Sequence, residues 1–370
     1  MLVACGGERM PAGKHVGGDT LRMAYAQLLT IVRHADYTTV DMADPWHKGR
    51  MLHRYVLVAR SDSARVAQAG GLPEGTVVYT PIERSVVFGT PHCQLLYWLG
   101  AQGAITGVCD RQYVNIPDVQ RRIGRPLAAG GIADCGNGMA PSIERIVEQE
   151  PQALLISPFE DNGGHGQLGK VGIPIVECAE YMETSAMARA EWVKFYGLLF
   201  GRSSEAEALF HEVDSCYQAL KHMAAQTATR RSILTERKTG GVWYVPGGRS
   251  SIGMLIADAG GSYVFAADDH SGSLPLALET VVDKAADTDV WAFKYSGSQL
   301  LTRADLLNEY QGYKGLKAFQ KGEIYECNST QRPFFEEVSF RPDWLLREFI
   351  ILLHPELRLG ALRYYEKCRE

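Results

Sequence analysis

The sequence predicts an α/β protein with two βα-type lobes, a long helical connector between them, and a cleft where the lobes meet. Two observations predict this fold class. Short β-rich runs alternate with helical segments on both sides of residues 184–226, and this alternation is typical of βα units around a mostly parallel sheet. Residues 184–226 themselves show only a helical period. We therefore expect a first lobe at residues 21–183 and a second lobe at residues 227–370.

The chain opens on an apolar residue, two small residues and a cysteine, Leu2-Val3-Ala4-Cys5, followed by two glycines. This run looks like a bacterial lipobox, in which the cysteine carries a lipid, and the Gly-rich residues 1–20 would then form the tether. Only four residues precede Cys5, without the apolar stretch of about 7–15 residues that a signal peptide needs. We therefore expect the full reading frame to begin upstream. An ordinary cysteine is the alternative.

The first lobe is predicted to begin with a β-hairpin at about residues 36–60. Its two alternating runs are separated by the turn-forming Asp44-Pro45-Trp46, and period-2 alternation is the mark of a half-buried strand. From Thr76 onwards the β-rich runs should build the mostly parallel sheet. Those runs are residues 77–79, 85–88, 104–108, 153–156 and 173–176.

The connector is rich in Ala, Glu, Lys and Leu and pauses at Gly201. A glycine can end one helix there, and one of the serines just after it can cap the next. The βα alternation returns after Arg230 with runs that include residues 241–245, and an apolar helix closes it from Pro342 to about Leu353. Packed helices do not bend as loops do, so the lobes should keep nearly one relative orientation.

Charge and hydropathy exclude several classes of protein. A net charge of −5 over 370 residues gives no basic footprint for nucleic acid or for anionic lipid. No run of about 18 apolar residues occurs, so we expect membrane attachment only through Cys5.

No dedicated metal site is predicted. The other seven of the eight cysteines have no C-x-x-C spacing, which disfavours zinc and iron–sulfur sites and a dense disulfide framework. The ten histidines form no H-x-x-H or H-E-x-x-H pattern. Convergence of His92, His165 and His270 from separate loops is the alternative.

Segments in both halves resemble, in order, the substrate-binding proteins of ABC importers for cobalamin, haem and iron–siderophore complexes. The resemblance covers roughly residues 76–357. Residues 93–101 followed by 105–108 are similar to the family's apolar helix, Leu-Gly turn and Ile-x-Gly-Val strand, and residues 251–261 to a later helix with a Gly-Gly ending. Residues 341–357 resemble its closing helix. The resemblance implies a periplasmic binding protein fold with a rigid helical connector and a ligand cleft between the lobes.

Two glutamates occupy equivalent places in the lobes. Glu144 lies near the start of a predicted helix that leads into Glu150-Pro151-Gln152, where the family has a Lys-Pro-Asp-like turn, and Glu279 begins the matching unit of the second lobe. The resemblance implies that one exposed glutamate per lobe docks onto arginines of a permease dimer. The alternative is a first-turn carboxylate that the helix dipole favours by about 0.3–1 kcal/mol and that needs no partner.

Candidate cleft residues lie in or next to loops that follow predicted strands, where ligands bind in open α/β sheets. Arginines there could hold a carboxylate or phosphate in bidentate fashion, and aromatic rings suit a flat ligand. The Gly-rich loop around His165 could approach an anion through its amides. Core packing is the alternative for Phe334 and its neighbour Phe335. The candidates are Phe88, His92, Phe159, Tyr181, Trp243, Arg249, Arg332 and Phe334.

The sequence as a whole predicts a solute-binding lipoprotein rather than an enzyme. It should be a monomer, anchored by lipid outside the cytoplasmic membrane, that captures a metal chelate and hands it to an ABC permease dimer. Iron–siderophore complexes, haem and cobalamin all suit the candidate residues, and no intrinsic cofactor is expected. An enzyme on the same scaffold, such as a chelatase, is the main alternative, but no defensible Ser/His/Asp, Cys/His or paired-carboxylate set supports it. An adhesion or sensor module that works without a permease is a third alternative.

Overall fold

The computed structural model describes residues 17–68, 71–160 and 165–370. The predicted lipidation at Cys5 and most of the predicted tether therefore lie outside the described residues. Within the described residues, no helix combines the length and the apolar character needed to cross a bilayer.

The first strands of the described residues form a five-stranded sheet of order β1-β2-β3-β4-β5. The predicted hairpin corresponds to the antiparallel pair β3 and β4. The run at 77–79 was expected in the first lobe's parallel sheet, and this is wrong, because β5 pairs in parallel with β4. Strand β4 is buried on both faces, with Val56 and Val58 on one and Tyr55 and Leu57 on the other. Because buried backbone N–H and C=O groups need hydrogen-bond partners, β4 pairs with β3 on one edge and with β5 on the other. The elements are β1 Asp19–Leu21, β2 Leu29–Arg33, β3 Thr38–Ala43, β4 Met51–Ala59, α1 Ser63–Gln68 and β5 Thr76–Thr80.

The first lobe is built on a parallel sheet of order β12-β11-β6-β7-β8. Its central strands are mostly apolar and are buried along their whole length, as expected of a sheet that helices cover on both faces. A two-stranded hairpin, β9 with β10, projects from the end of β8. The elements are β6 Ser85–Val87, α2 Thr90–Trp98, β7 Ile105–Val108, α3 Pro117–Arg122, β8 Ala133–Asp134, β9 Gly136–Asn137, β10 Ala140–Pro141, α4 Ile143–Glu148, β11 Ala153–Ile156 and β12 Ile175–Glu177.

Three helices form the connector: α5 Ala186–Glu191, α6 Val193–Leu199 and α7 Ser203–Ala225. Gly201 has a φ of 64°, the left-handed conformation that ends a helix and that glycine adopts without strain. The predicted serine cap is wrong, because Arg202 occupies the N-cap position of α7 without a side-chain hydrogen bond to the helix.

The second lobe has a parallel core, β13-β17-β18, with β19 added antiparallel at its edge. Residues 241–245 were expected to continue the βα alternation, and this is wrong, because β15 lies in a separate antiparallel sheet with β14 and β16. The elements are β13 Ile233–Thr235, β14 Lys238–Thr239, β15 Val242–Pro246, α8 Ser251–Asp258, β16 Ser273–Ala277, α9 Leu278–Lys284, β17 Val290–Tyr295, α10 Arg303–Glu309, α11 Lys317–Gln320, β18 Ile324–Asn328, α12 Phe334–Glu337, α13 Pro342–Leu353 and β19 Glu366–Lys367.

The segment between β1 and β2 is tied to the connector by two buried carboxylates. The carboxylate of Glu191 accepts hydrogen bonds from the backbone N–H groups of Ala24, Tyr25 and Ala26 at 2.7–2.9 Å. Glu183 accepts from the next two N–H groups and from the indole of Trp192. Because five consecutive backbone donors find acceptors here, we name residues 24–28 the strap.

Candidate ligand-binding site

The two lobes meet at the carboxyl ends of their parallel strands. Thr90, in the first turn of α2 after β6, donates its hydroxyl to Oε1 of Glu336 at 3.0 Å. Glu336 lies on α12, which follows β18 in the second lobe, and the same oxygen accepts from the backbone N–H of Asn115 at 2.8 Å. The strand ends of both lobes therefore face one cleft, where ligands bind in open α/β folds.

The first-lobe wall of this cleft contains a cavity of about 610 Å³. Of the described residues that line it, only His165 and Gln167 have polar side chains. Met139 is 78% exposed and Phe159 52% exposed, and large apolar side chains held open to solvent mark binding surfaces. The cavity suits a ligand with a large apolar face. Its other apolar side chains are Phe88, Ala140, Pro141, Ile143, Ile156 and Leu168.

The hairpin that carries Met139 is held in place by Asp110. The backbone N–H of Asp110 donates to the carbonyl of Gly136 at 2.8 Å, and its Oδ2 accepts from the N–H of Gly138 at 3.0 Å. A Cβ at position 138 would lie 2.7 Å from that oxygen, so a larger residue there would displace the Asp110 carboxylate from this hydrogen bond. Asp110 therefore holds the hairpin beside the cavity.

The second-lobe side of the cleft is charged. Arg237 and Lys238 follow β13, Lys294 lies near the end of β17, and all three line a pocket of about 360 Å³ with Glu236 and Glu309. Arg237 pairs with Glu309 at 2.5 Å, and Lys294 pairs with Glu236. Three cations against two carboxylates leave an excess of positive charge on this wall.

Two predicted cleft residues, Phe88 and Phe159, lie together in the first-lobe cavity. Tyr181 is half-buried nearby, and its hydroxyl donates to the carbonyl of Pro158 at 2.5 Å. The two predicted arginines are engaged elsewhere on the surface: Arg249 with Asp269 at 2.8 Å, and Arg332 with Glu366 at 3.3 Å. Neither arginine is among the described residues that line the two pockets.

The structure contradicts the expectation for His92. The predicted loop is helical from Thr90 onwards, so the side chain turns inward and only 1% of the residue is exposed. Its Nε2 lies 2.9 Å from Oε1 of Glu180. Burial opposes protonation, but the neighbouring Cys178 and Glu180 raise the pKa of His92 well above its usual value. Burial also works against the Glu180 carboxylate, yet His92 lowers the pKa of Glu180, so each partner favours the charged form of the other.

Trp243 and Phe334 are also core residues rather than cleft residues. Alternation along β15 turns Trp243 inward onto Trp291, with ring centroids 5.8 Å apart, and leaves Tyr244 exposed. Phe334 packs on Tyr364 at 5.4 Å, whereas Phe335 is the exposed member of its pair.

The proposed docking glutamates occupy equivalent positions. Glu144 is the second residue of α4 and Glu279 the second residue of α9, and both are exposed. Their role in docking stays a prediction.

Met139 and the cations Arg237, Lys238 and Lys294 were not predicted from the sequence. Arg237 and Lys238 come just after Glu236, the first residue beyond the buried strand β13, so the same strand-end rule that selected Phe88 could have found them. No group of three or more His, Cys, Asp or Glu among the described residues could hold a metal ion. His92, His165 and His270 pair with different carboxylates, Glu180, Glu177 and Asp268.

Comparison with known proteins identifies the class. Residues 86–330 match the model of the periplasmic binding protein family. An uncharacterised lipoprotein of Methanocaldococcus jannaschii is 24% identical over 303 residues, which cover 78% of this chain and 69% of that protein. A periplasmic haem-binding protein of Pseudomonas aeruginosa has a TM-score of 0.61 at 16% identity, covering 78% of this chain and 99% of its own. A periplasmic vitamin B12-binding protein of Vibrio cholerae has a TM-score of 0.55 at 14% identity, covering 75% and 99%.

The chain belongs to the periplasmic binding protein family. The solved structures share its two-lobed fold, and the family works with ABC permeases. The protein is therefore a substrate-binding protein and not an enzyme, and the chelatase alternative is not supported. The sheet formed by β1 to β5 precedes the matched residues.

Proposed function

We propose that the protein captures a metal chelate outside the cytoplasmic membrane, where a lipid on Cys5 holds it, and delivers the chelate to an ABC permease dimer. The anchor is supported by the run Leu2-Val3-Ala4-Cys5 and by similarity to an archaeal lipoprotein. Periplasmic capture is what its family does.

The observation that carries the ligand class is the contrast between the two walls of the cleft. The first-lobe wall is apolar and open, and the second-lobe wall carries Arg237, Lys238 and Lys294. The Lys294 ammonium lies 5.9 Å from the ring of Phe334, which begins the helix that bears Glu336. The cationic wall therefore lies beside the contact between the lobes.

A flat apolar chelate with anionic groups satisfies both walls, and among the candidates haem has this chemistry most fully. Its ring would lie in the cavity of Phe88 and Phe159, and its carboxylates would reach the cations. Iron–siderophore complexes and cobalamin are the other candidates. Of the two similar solved structures, one is of a periplasmic haem-binding protein and the other of a periplasmic vitamin B12-binding protein.

The test is direct titration, together with the visible absorption spectrum of protein purified from its native host, since each candidate has its own chromophore. Ferric protoporphyrin IX, ferrioxamine B and cyanocobalamin are added separately to the purified protein. Phe159→Ser should weaken binding of the active probe about tenfold or more, because burial of an aromatic side chain is worth roughly 1.5–3 kcal/mol. Tyr244→Ser, an exposed aromatic on β15 outside the cavity, is the matched control.

The charged wall is tested in the same way. Lys294→Gln should weaken binding of an anionic chelate and leave a neutral one unaffected, with Lys48→Gln as an exposed control. Failure of all three probes to bind wild-type protein would refute the metal-chelate assignment.

A further inference from the structure

The N-terminal sheet lies outside the residues that match the family, and yet it reaches the wall of the first-lobe cavity. Tyr55, on β4, is fully buried. Its hydroxyl accepts a hydrogen bond at 2.8 Å from the backbone N–H of Glu177, the last residue of β12. The sheet therefore fixes the end of a strand that faces the cleft.

Glu177 in turn holds His165, which lines the cavity. Oε1 of Glu177 lies 2.7 Å from Nε2 of His165, and the two side chains are only 11% and 9% exposed. A carboxylate can only accept, so Nε2 carries the proton of this hydrogen bond. The contact sets both the orientation and the tautomer of the imidazole.

The backbone at His165 is strained. Its φ is 63°, a left-handed conformation that costs a residue with a side chain about 1–2 kcal/mol. Such strain persists only where the surroundings hold the residue, and it concentrates at functional sites. Glu177 supplies that hold.

A second imidazole of the N-terminal sheet faces the same pair. The ring of His53 stacks on Tyr55 with centroids 4.4 Å apart, and its Nε2 lies 2.8 Å from the hydroxyl of Thr76. Burial lowers the pKa of His53, although Glu177 works in the opposite direction.

We propose that Tyr55 and Glu177 are positioning residues of the ligand site, through which the N-terminal sheet holds the His165 imidazole as a polar contact for the bound chelate. The proposal rests on the proposed function. A small number of polar groups in an otherwise apolar wall fixes how a ligand is oriented, and His165 is one of two polar side chains among the described residues of this wall. The N-terminal sheet is thus part of the binding site and not only an addition to the family fold.

The test uses Tyr55→Phe, which removes only the hydroxyl, and Tyr79→Phe on β5 of the same sheet as the matched control, because Tyr79 is exposed. Ferric protoporphyrin IX, ferrioxamine B and cyanocobalamin are the probes. Loss of one hydrogen bond should weaken binding about threefold to tenfold in Tyr55→Phe, and His165→Ala should weaken it at least as much. Glu177→Ala should do the same, and Glu177→Gln should restore most of the affinity because its amide oxygen still accepts from Nε2.

A readout without ligand separates this proposal from the proposed function. The ring-nitrogen NMR signals of His165 in the ligand-free protein should shift in Tyr55→Phe and stay unchanged in Tyr79→Phe. If no probe binds the wild type, the proposed function fails, and these signals still decide whether the sheet positions His165. Unchanged signals in Tyr55→Phe overturn the proposal, and so does wild-type affinity of His165→Ala for a probe that the wild type binds.

Discussion

Glu336 is a buried carboxylate whose two oxygens have different surroundings. Oε1 accepts from Thr90 and Asn115 in the opposite lobe, whereas Oε2 has no hydrogen-bond partner among the described residues. Burial raises the pKa of Glu336, although the hydrogen bonds from Asn115 and Thr90 work against this. Burial of the charged carboxylate therefore destabilises the fold, whereas its hydrogen bonds to Thr90 and Asn115 join the two lobes at the cleft.

Glu336→Gln should leave the free energy of unfolding at neutral pH unchanged or raise it by about 1 kcal/mol, because the amide oxygen still accepts and no charge is buried. Glu336→Ala should lower it by about 1–3 kcal/mol, since the donors of Thr90 and Asn115 lose their acceptor. Denaturant unfolding measures both.

The pH dependence follows from the direction of the shift. A carboxyl group with a raised folded-state pKa contributes stability at low pH, and this is lost as pH rises from 4.5, its ordinary value, through the folded pKa. The difference in unfolding free energy between Glu336→Gln and wild type should therefore be smaller near pH 4.5 than at neutral pH. A constant difference would contradict a raised pKa.

At the scale of elements, the strap shows how a segment without regular secondary structure is kept in place. Its consecutive N–H groups find acceptors in Glu183 and Glu191, which lie in or next to α5. A buried donor without an acceptor costs free energy, so each carboxylate satisfies several groups at once. The N-terminal sheet is thereby joined to the connector.

Glu191→Ala should lower the free energy of unfolding by more than about 3 kcal/mol, because three backbone donors lose their acceptor and Lys194 loses the nearer of its two carboxylate partners, Glu191 at 3.0 Å and Glu207 at 3.8 Å. Limited proteolysis should then cut within or near residues 24–28 before the rest of the chain. Glu207→Ala, at a half-exposed position on α7, is the control and should change stability by less than about 0.5 kcal/mol. A resistant strap in Glu191→Ala would show that other contacts hold it.

The sequence predicted elements better than it predicted their partners. β-rich composition identified the strands at 77–79 and 241–245, but composition does not say which sheet a strand joins, since pairing is non-local. The strand-end rule found Phe88 and Phe159 because it depends on topology alone. It failed for His92, where the helix begins two residues earlier, and for Trp243, where burial is decided by a distant aromatic cluster.

On the scale of the whole molecule, α4 and α9 each present a glutamate at their second position. Glu144→Ala combined with Glu279→Ala should abolish uptake while ligand affinity stays intact, if these carboxylates meet permease arginines. Stability should barely change, since an exposed first-turn charge contributes only about 0.3–1 kcal/mol. Lys at both positions should be worse than Ala, because repulsion adds to the lost pairing.

The matched control for docking is Glu148→Ala with Asp283→Ala, two exposed carboxylates on the same helices. Ligand titration and transport in reconstituted vesicles are the measurements. Normal transport by the Glu144/Glu279 double variant would remove the docking role, and loss of ligand affinity would place these residues in the cleft.

The connector predicts small motion on binding. Helix α13 of the second lobe packs on α7, and Arg341 reaches Glu212 of α7 at 2.9 Å. A change in lobe orientation would have to break such packed contacts. Small-angle scattering profiles with and without the active chelate should nearly superimpose, and a large compaction on binding would contradict this.

One hydrophobic core runs through the N-terminal sheet, both lobes and the connector. Its members include Tyr55 in the sheet, Leu95 in the first lobe, Phe195 in the connector and Trp291 in the second lobe. Unfolding of one lobe would expose apolar side chains of the adjoining lobe. The protein should therefore melt cooperatively, in one calorimetric transition rather than lobe by lobe. A destabilising substitution in the N-terminal sheet would then lower the melting temperature of the entire molecule, including the second lobe.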